Sequence, residues 1–265
     1  MNRILSNGWV QGMAKVIFLL SFIFKMDSIE ASVFHEKNET IISINKNGQS
    51  PHAEHNVSIT AVPDKYGFFR LHVNGKGNYA GFKNVVWISQ AEIFIKDRSL
   101  YISHSTTDVF NNGVKVFESL KNFDHISKIV SLRIKDEKGI VVKNKQYPIK
   151  GPICDDVTLI HVLAYFASEV GLKNLKHFYL LTNEPKLYHV MVKYRGREIL
   201  DLSGREKADK FQLMADLGPL TEVAAKVVPP TFVWYRTESH ADWLQYEGME
   251  SGYKSTNIRS YVVKK

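Results

Sequence analysis

The chain is poor in several things, and each shortage excludes a class of protein. Cys154 is its single cysteine, so neither an intrachain disulfide framework nor a thiolate metal cluster can form. A lone cysteine beside an apolar segment is expected to behave as a small buried hydrophobe. The uncharged run Val16–Phe24 is nine residues long, short of the roughly 20 that a membrane-spanning helix needs. Eight prolines in 265 residues, with no Pro/Ser-rich linker, repeat or low-complexity tract, leave no composition break at which to divide a domain. Net charge is +8, yet the Lys143–Lys150 cluster holds only three lysines. With no dense basic tract and no RNP-like or zinc-finger spacing, a generally basic surface is expected rather than specific nucleic-acid binding.

Catalytic signatures are equally scarce. There is no Gly-x-Ser-x-Gly, no phosphate-binding loop and no dinucleotide fingerprint. Ser251-x-x-Lys254 matches a nucleophile pattern, but it falls in a Gly-containing turn between strands instead of opening a helix. Cys154 precedes Asp155 and Asp156, whose charges disfavour a thiolate. Ten histidines show no His-Glu-x-x-His. The tightest pair, His52 and His55, lies in a polar stretch without a third ligand at diagnostic spacing. His161 is expected to be a structural histidine of a helix, and Glu247 and Glu250 to be solvated turn carboxylates. No catalytic residue, cofactor or metal is therefore expected.

What is present is a mainly β chain. Lys15, the apolar run and Ser28-Ile29-Glu30-Ala31 have the order of a signal peptide, residues 1–31, with Met13 as an alternative start. Residues 32–56 are largely polar and read as a loosely held arm with one short strand at Thr40–Ile44. From 57 to 265 one β-rich domain is expected. Segments rich in β-branched and aromatic residues recur through Val57–Val62, Phe68–Val73, Val85–Ile95, Leu100–Phe110, Val114–Leu120, Ile126–Ile134 and Ile140–Tyr147. Asn74-Gly75, Asn112-Gly113 and Lys138-Gly139 supply turns, the first suited to a type I′ hairpin. After Asp155-Asp156, apolar residues at three- and four-residue spacing predict a helix to Gly171, with the Asp pair as N-cap and Gly171 as C-cap. Further strands follow: His177–Leu181, Leu187–Tyr194, Glu198–Leu202, Lys207–Met214, Thr231–Arg236, Trp243–Glu247 and Lys254–Val263. Leu217–Pro230 reads as a loop.

Asp155-Asp156-Val157-Thr158, Arg197-Glu198-Ile199, Leu202-Ser203-Gly204 and the closing Phe232-Val233-Trp234-Tyr235, Trp243, Tyr246-Glu247-Gly248 fall in an order that resembles a bacterial family of exported domains of unknown function. The resemblance covers Pro152–Val263 and departs from the family at Arg195–Lys210 and Leu217–Pro230. It implies a strongly curved antiparallel sheet or half-open barrel, a β-clam, wrapped on one main helix. In shape this is similar to periplasmic carriers of lipoproteins and lipids. It carries over no catalytic residue.

The expected protein is non-catalytic, exported to the periplasm or cell envelope, with no transmembrane anchor after processing. Its expected partner is a lipid or other hydrophobic ligand, or an envelope protein, held by Tyr188, Val190, Val192, Phe232 and Trp234. The same residues could instead simply pack on the helix. Two alternatives stay open: a hydrolase of envelope polymers, and an assembly subunit that adds a strand at a sheet edge.

Overall fold

The computed structural model describes residues 36–46, 51–97, 99–169, 176–202, 204–221, 230–239, 242–250 and 256–263. The signal segment, Gly171 and the Ser251–Lys254 match lie outside these.

Alternation of apolar and polar side chains, the period of a half-buried strand, organises the chain. In Phe82–Lys96, Val85, Trp87, Ser89, Ala91 and Ile93 turn inward while their neighbours face out. The strands are β1 (Lys37–Asn45), β2 (Pro51–Ala61), β3 (Phe68–Tyr79), β4 (Phe82–Lys96), β5 (Ser99–Asn111), β6 (Val114–Asp124), β7 (Ile129–Asp136) and β8 (Val141–Pro148). There follow β9 (Ile153–Asp155), helix α1 (Leu159–Glu169), β10 (His177–Leu181), β11 (Leu187–Asp201), β12 (Arg205–Ala215), β13 (Thr231–Arg236), β14 (Trp243–Met249) and β15 (Asn257–Val263). Gly218–Leu220 forms a 3-10 turn after β12.

All fifteen strands join one sheet, ordered 8-7-6-5-4-3-2-1-15-14-13-12-11-10-9. The first half meanders outward from β1, and the second works back until β15 pairs antiparallel with β1, Ser43 opposite Ser260. Only β9 and β10 pair in parallel among the described strands, and α1 stands between them in the chain, since parallel neighbours need a crossover. The two ends of the ladder, β8 and β9, do not pair with each other, so the sheet is not closed into a barrel. Side chains of β5 and β6 nevertheless meet β9: Ser105 and Lys121 both contact Asp155. The core runs across one face from β1 to β15 and around α1, whose Val162, Leu163, Ala164, Tyr165 and Ala167 are buried. Tyr235 anchors the first turn by donating to the Ile160 carbonyl at 2.9 Å. Among the described residues no helix is long and apolar enough to cross a membrane.

Mainly β with one main helix is the architecture found, but several expected details need correction. The segment read as a polar arm contains β1 and the start of β2, and β1 lies mid-sheet between β2 and β15. Its polarity misled because in β1 only Ile41 and Ser43 are fully covered. Asn74-Gly75 makes no turn; it lies within β3, and the hairpin closes at Ala80-Gly81, both at positive φ. Gly75 is needed because the Trp87 indole of β4 lies on its backbone, so a Cβ there would stand 2.0 Å from the ring. The helix begins after Thr158, whose carbonyl accepts from Val162 N–H at 2.9 Å. Asp155 ends β9, and its carboxylate accepts the Thr158 N–H at 3.0 Å and hydroxyl at 2.6 Å. The two strands expected within 187–202 are one, β11, with a register shift between Tyr194 and Gly196.

Candidate functional site

Between α1 and the sheet lies a cavity of about 580 Å³. Ile41, Val57, Val73, Leu180, Val190 and Leu213, drawn from six strands, form much of its apolar wall, and Leu159 and Ile160 of α1 close over it. One end is aromatic: Trp87 stacks on Tyr79 with centroids 4.7 Å apart, and the His55 ring meets Trp87 edge-on at 5.9 Å. The flat seat of Trp87 on Gly75 is what brings it there.

A β-bulge brings in the polar groups. Ser43 pairs with Ala53 but Ile44 pairs with Pro51, which leaves His52 as an extra residue on β2. Such a residue re-aims its side chain, and His52 and Ala53 both face the cavity. His52 Nε2 lies 3.0 Å from Glu250 Oε1. Burial raises the Glu250 pKa despite the opposing pull of His52. Burial also lowers that of His55 to about 4, so its ring is neutral at pH 7. His52 Nδ1, His55 Nδ1 and Trp243 Nε1 are buried without a partner among the described residues, and all three residues line the cavity. Buried polar atoms are seldom left this way.

Behind that end sits a buried ionic knot. Lys121 of β6 is 1 % exposed, 3.3 Å from Asp155 Oδ2 and in closer contact with Asp156. Ser105 donates to Asp155. The backbone N–H of Asn183 donates to Asp156 at 3.3 Å, and its side chain to Tyr79 Oη at 3.3 Å. Asp156, which reaches the cavity, has a raised pKa because burial outweighs the attraction of Lys121. Cys154 is fully buried, its thiol pushed up by burial and then by Asp155 and Asp156.

Of the five residues expected to hold a ligand, Tyr188 and Val190 line the cavity. Burial, with Glu184 beside it, pushes the Tyr188 phenol up to about 12. Val192 packs at the edge of the main core. Phe232 and Trp234 belong to a separate cluster with Leu200, Ala208 and Leu244. There Lys210 caps both rings, 4.5 and 4.8 Å from their centroids, and Trp234 donates to Glu198. Glu247 and Glu250 are not solvated turn carboxylates: Glu247 lies 2.7 Å from Lys46 and 3.0 Å from Arg259, and Glu250 pairs with His52. Their partners come from other strands, so local sequence could not reveal them. The knot had one sequence signal, a lysine at an inward position between Ser119 and Phe123 of β6.

Among the described residues one group of possible metal ligands is assembled, His177, His189 and Asp216; none of the three lines the cavity, although Ala215 and Leu217 on either side of Asp216 do. In comparisons with known proteins, no family model matches the chain, and neither a curated protein nor a solved structure matches it. The resemblance of Pro152–Val263 to exported β-clam domains thus stays a reading of the sequence alone.

Proposed function

We propose that this is a non-catalytic, exported envelope protein that holds one amphiphilic, lipid-like molecule in the cavity between α1 and the sheet. The observation that carries the reading is an apolar chamber of about 580 Å³, within the range of small-molecule sites, whose polar end holds three buried donors or acceptors with no partner among the described residues. An acyl or other hydrocarbon tail lies against Val57, Val190 and Leu213. A small hydrogen-bonding head meets His52, His55 and Trp243. The contacts of Ser105 and Lys121 with Asp155 support this role by linking strands far apart in the ladder.

Native mass spectrometry with lipid extraction, on protein recovered from the envelope of the exporting cell, tests this. A reproducible bound lipid is expected. Ala215 lies at the cavity wall and is itself exposed, so Ala215→Trp should block entry with the fold intact. It should weaken binding of a fluorescent apolar probe at least tenfold. A bare mass together with no saturable probe uptake would exclude the carrier.

A second reading, hydrolysis of an envelope polymer, is favoured by one observation: Asp156 and Glu250, both with raised pKa, face the same cavity beside His52. Shifted carboxylates in a cleft are what acid–base catalysis needs. Under it, Glu250→Gln abolishes turnover of peptidoglycan or glycan substrates; under the carrier reading there is no turnover to lose.

A further inference from the structure

We propose that His177, His189 and Asp216 form a binding site for one divalent transition-metal ion of the zinc class, with the two histidines on the face of β10 and β11 opposite Tyr188 and Val190. Three adjacent strands place these residues. In the β10–β11 pairing Tyr179 stands opposite His189 and His177 opposite Met191, so the two histidines are diagonal neighbours on one face. Val190 and Tyr188, which alternate with His189, line the cavity on the other face. Asp216 directly follows β12, and its N–H donates to the His189 carbonyl at 2.8 Å, extending the ladder by one residue.

The donor atoms converge. His177 Nδ1 lies 3.0 Å and His189 Nδ1 3.1 Å from the same oxygen, Asp216 Oδ2. One ligand atom from each residue lies within 4.8 Å of the other two. Tetrahedral zinc with bonds of roughly 2.0–2.1 Å separates its ligands by about 3.3 Å, so small side-chain rotations suffice to admit the ion. Two imidazole nitrogens and a carboxylate suit zinc, and three protein ligands leave a coordination position for water.

Neighbouring groups orient these three side chains. Asp216 Oδ1 accepts the Gly218 N–H at 3.0 Å, which fixes the carboxylate and leaves Oδ2 to face the histidines. Thr221 braces the same turn by accepting the Leu217 N–H at 2.8 Å. Tyr179 stacks on His189 with centroids 4.7 Å apart, and the His177 ring stacks on His189 from 5.1 Å, which holds both Nδ1 atoms toward the carboxylate.

The full chain, stripped with EDTA, would be titrated with Zn²⁺ against a chromophoric chelator, and with Co²⁺ while recording its visible absorption. One equivalent is expected in the wild type, with tetrahedral cobalt bands. Affinity should fall more than tenfold in His189→Ala and in Asp216→Asn, which keeps an acceptor for Gly218. His72→Ala, on β3, should stay within twofold of the wild type. Should Asp216→Asn fail to fold, His177→Gln on the exposed rim gives the same reading. Equal zinc affinity in the wild type and a His177→Ala/His189→Ala double variant, or a wild type that takes up neither metal, would overturn the proposal and leave an ion pair alone.

Discussion

Lys121 carries an ammonium group into the interior and meets two carboxylates there. Burial by itself would lower its pKa, but Asp156 and Asp155 outweigh that and hold it above its ordinary 10.5. A raised lysine contributes stability that is complete below its unfolded value and lost as pH climbs through the folded one. On the lysine side the knot therefore fails in alkali above 10.5, and on the acid side it is lost as Asp156, whose pKa burial raises, takes up a proton. Removing one partner of a buried ion pair strands the other charge. Lys121→Met is expected to cost about 3–5 kcal/mol in urea unfolding. Adding Asp155→Asn and Asp156→Asn should recover much of it, because no uncompensated charge then remains. A loss below about 1 kcal/mol, the range of a surface pair, would mean that the groups are solvated.

At the scale of elements, the β3–β4 hairpin shows how a residue's local meaning can be overridden. Asn74-Gly75 has the chemistry of a tight turn, yet the Trp87 side chain occupies the space a Cβ would need. Gly75→Ala is expected to destabilise by about 1–3 kcal/mol through overpacking and to change the near-ultraviolet circular dichroism of the displaced indole. An unchanged spectrum would contradict that packing. The free edges of the sheet bear on strand addition. β9 is three residues long and buried throughout. β8 is exposed along most of its eight residues, but it carries Lys143 and Lys145 and ends at Pro148, features that discourage edge pairing. The helix was legible from its apolar spacing, although its start shifted because Asp155 was drawn into a strand. β9 was not legible, since three buried residues carry no period.

Across the whole molecule, the β1–β15 pairing is the seam that joins two meanders into one sheet. It brings Thr40 opposite Val263, so it closes the longest loop in the chain, and contacts this distant in sequence form late and slowly. At its centre the Ser43 and Ser260 hydroxyls meet at 2.7 Å, both buried. Ser43→Ala alone leaves a buried hydroxyl without its partner and should cost about 1–3 kcal/mol. The Ser43→Ala/Ser260→Ala pair should cost less than the sum of the singles, since neither polar group then remains. Strict additivity in a double-mutant cycle would show that the seam is not formed there. The sequence by itself determined the β-rich class, most strand positions and the amphipathic helix α1, because period, β-branching and turn residues act over a few positions. It also pointed to a buried Cys154 and to a structural His161 only partly covered, which the structure buries almost fully. Only the tertiary structure decided which strands meet across the seam, which face each side chain takes at the His52 bulge, and that Lys121 meets Asp155. Those outcomes depend on pairings between residues tens to hundreds of positions apart, and the cavity and the cluster of His177, His189 and Asp216 are made of such pairings.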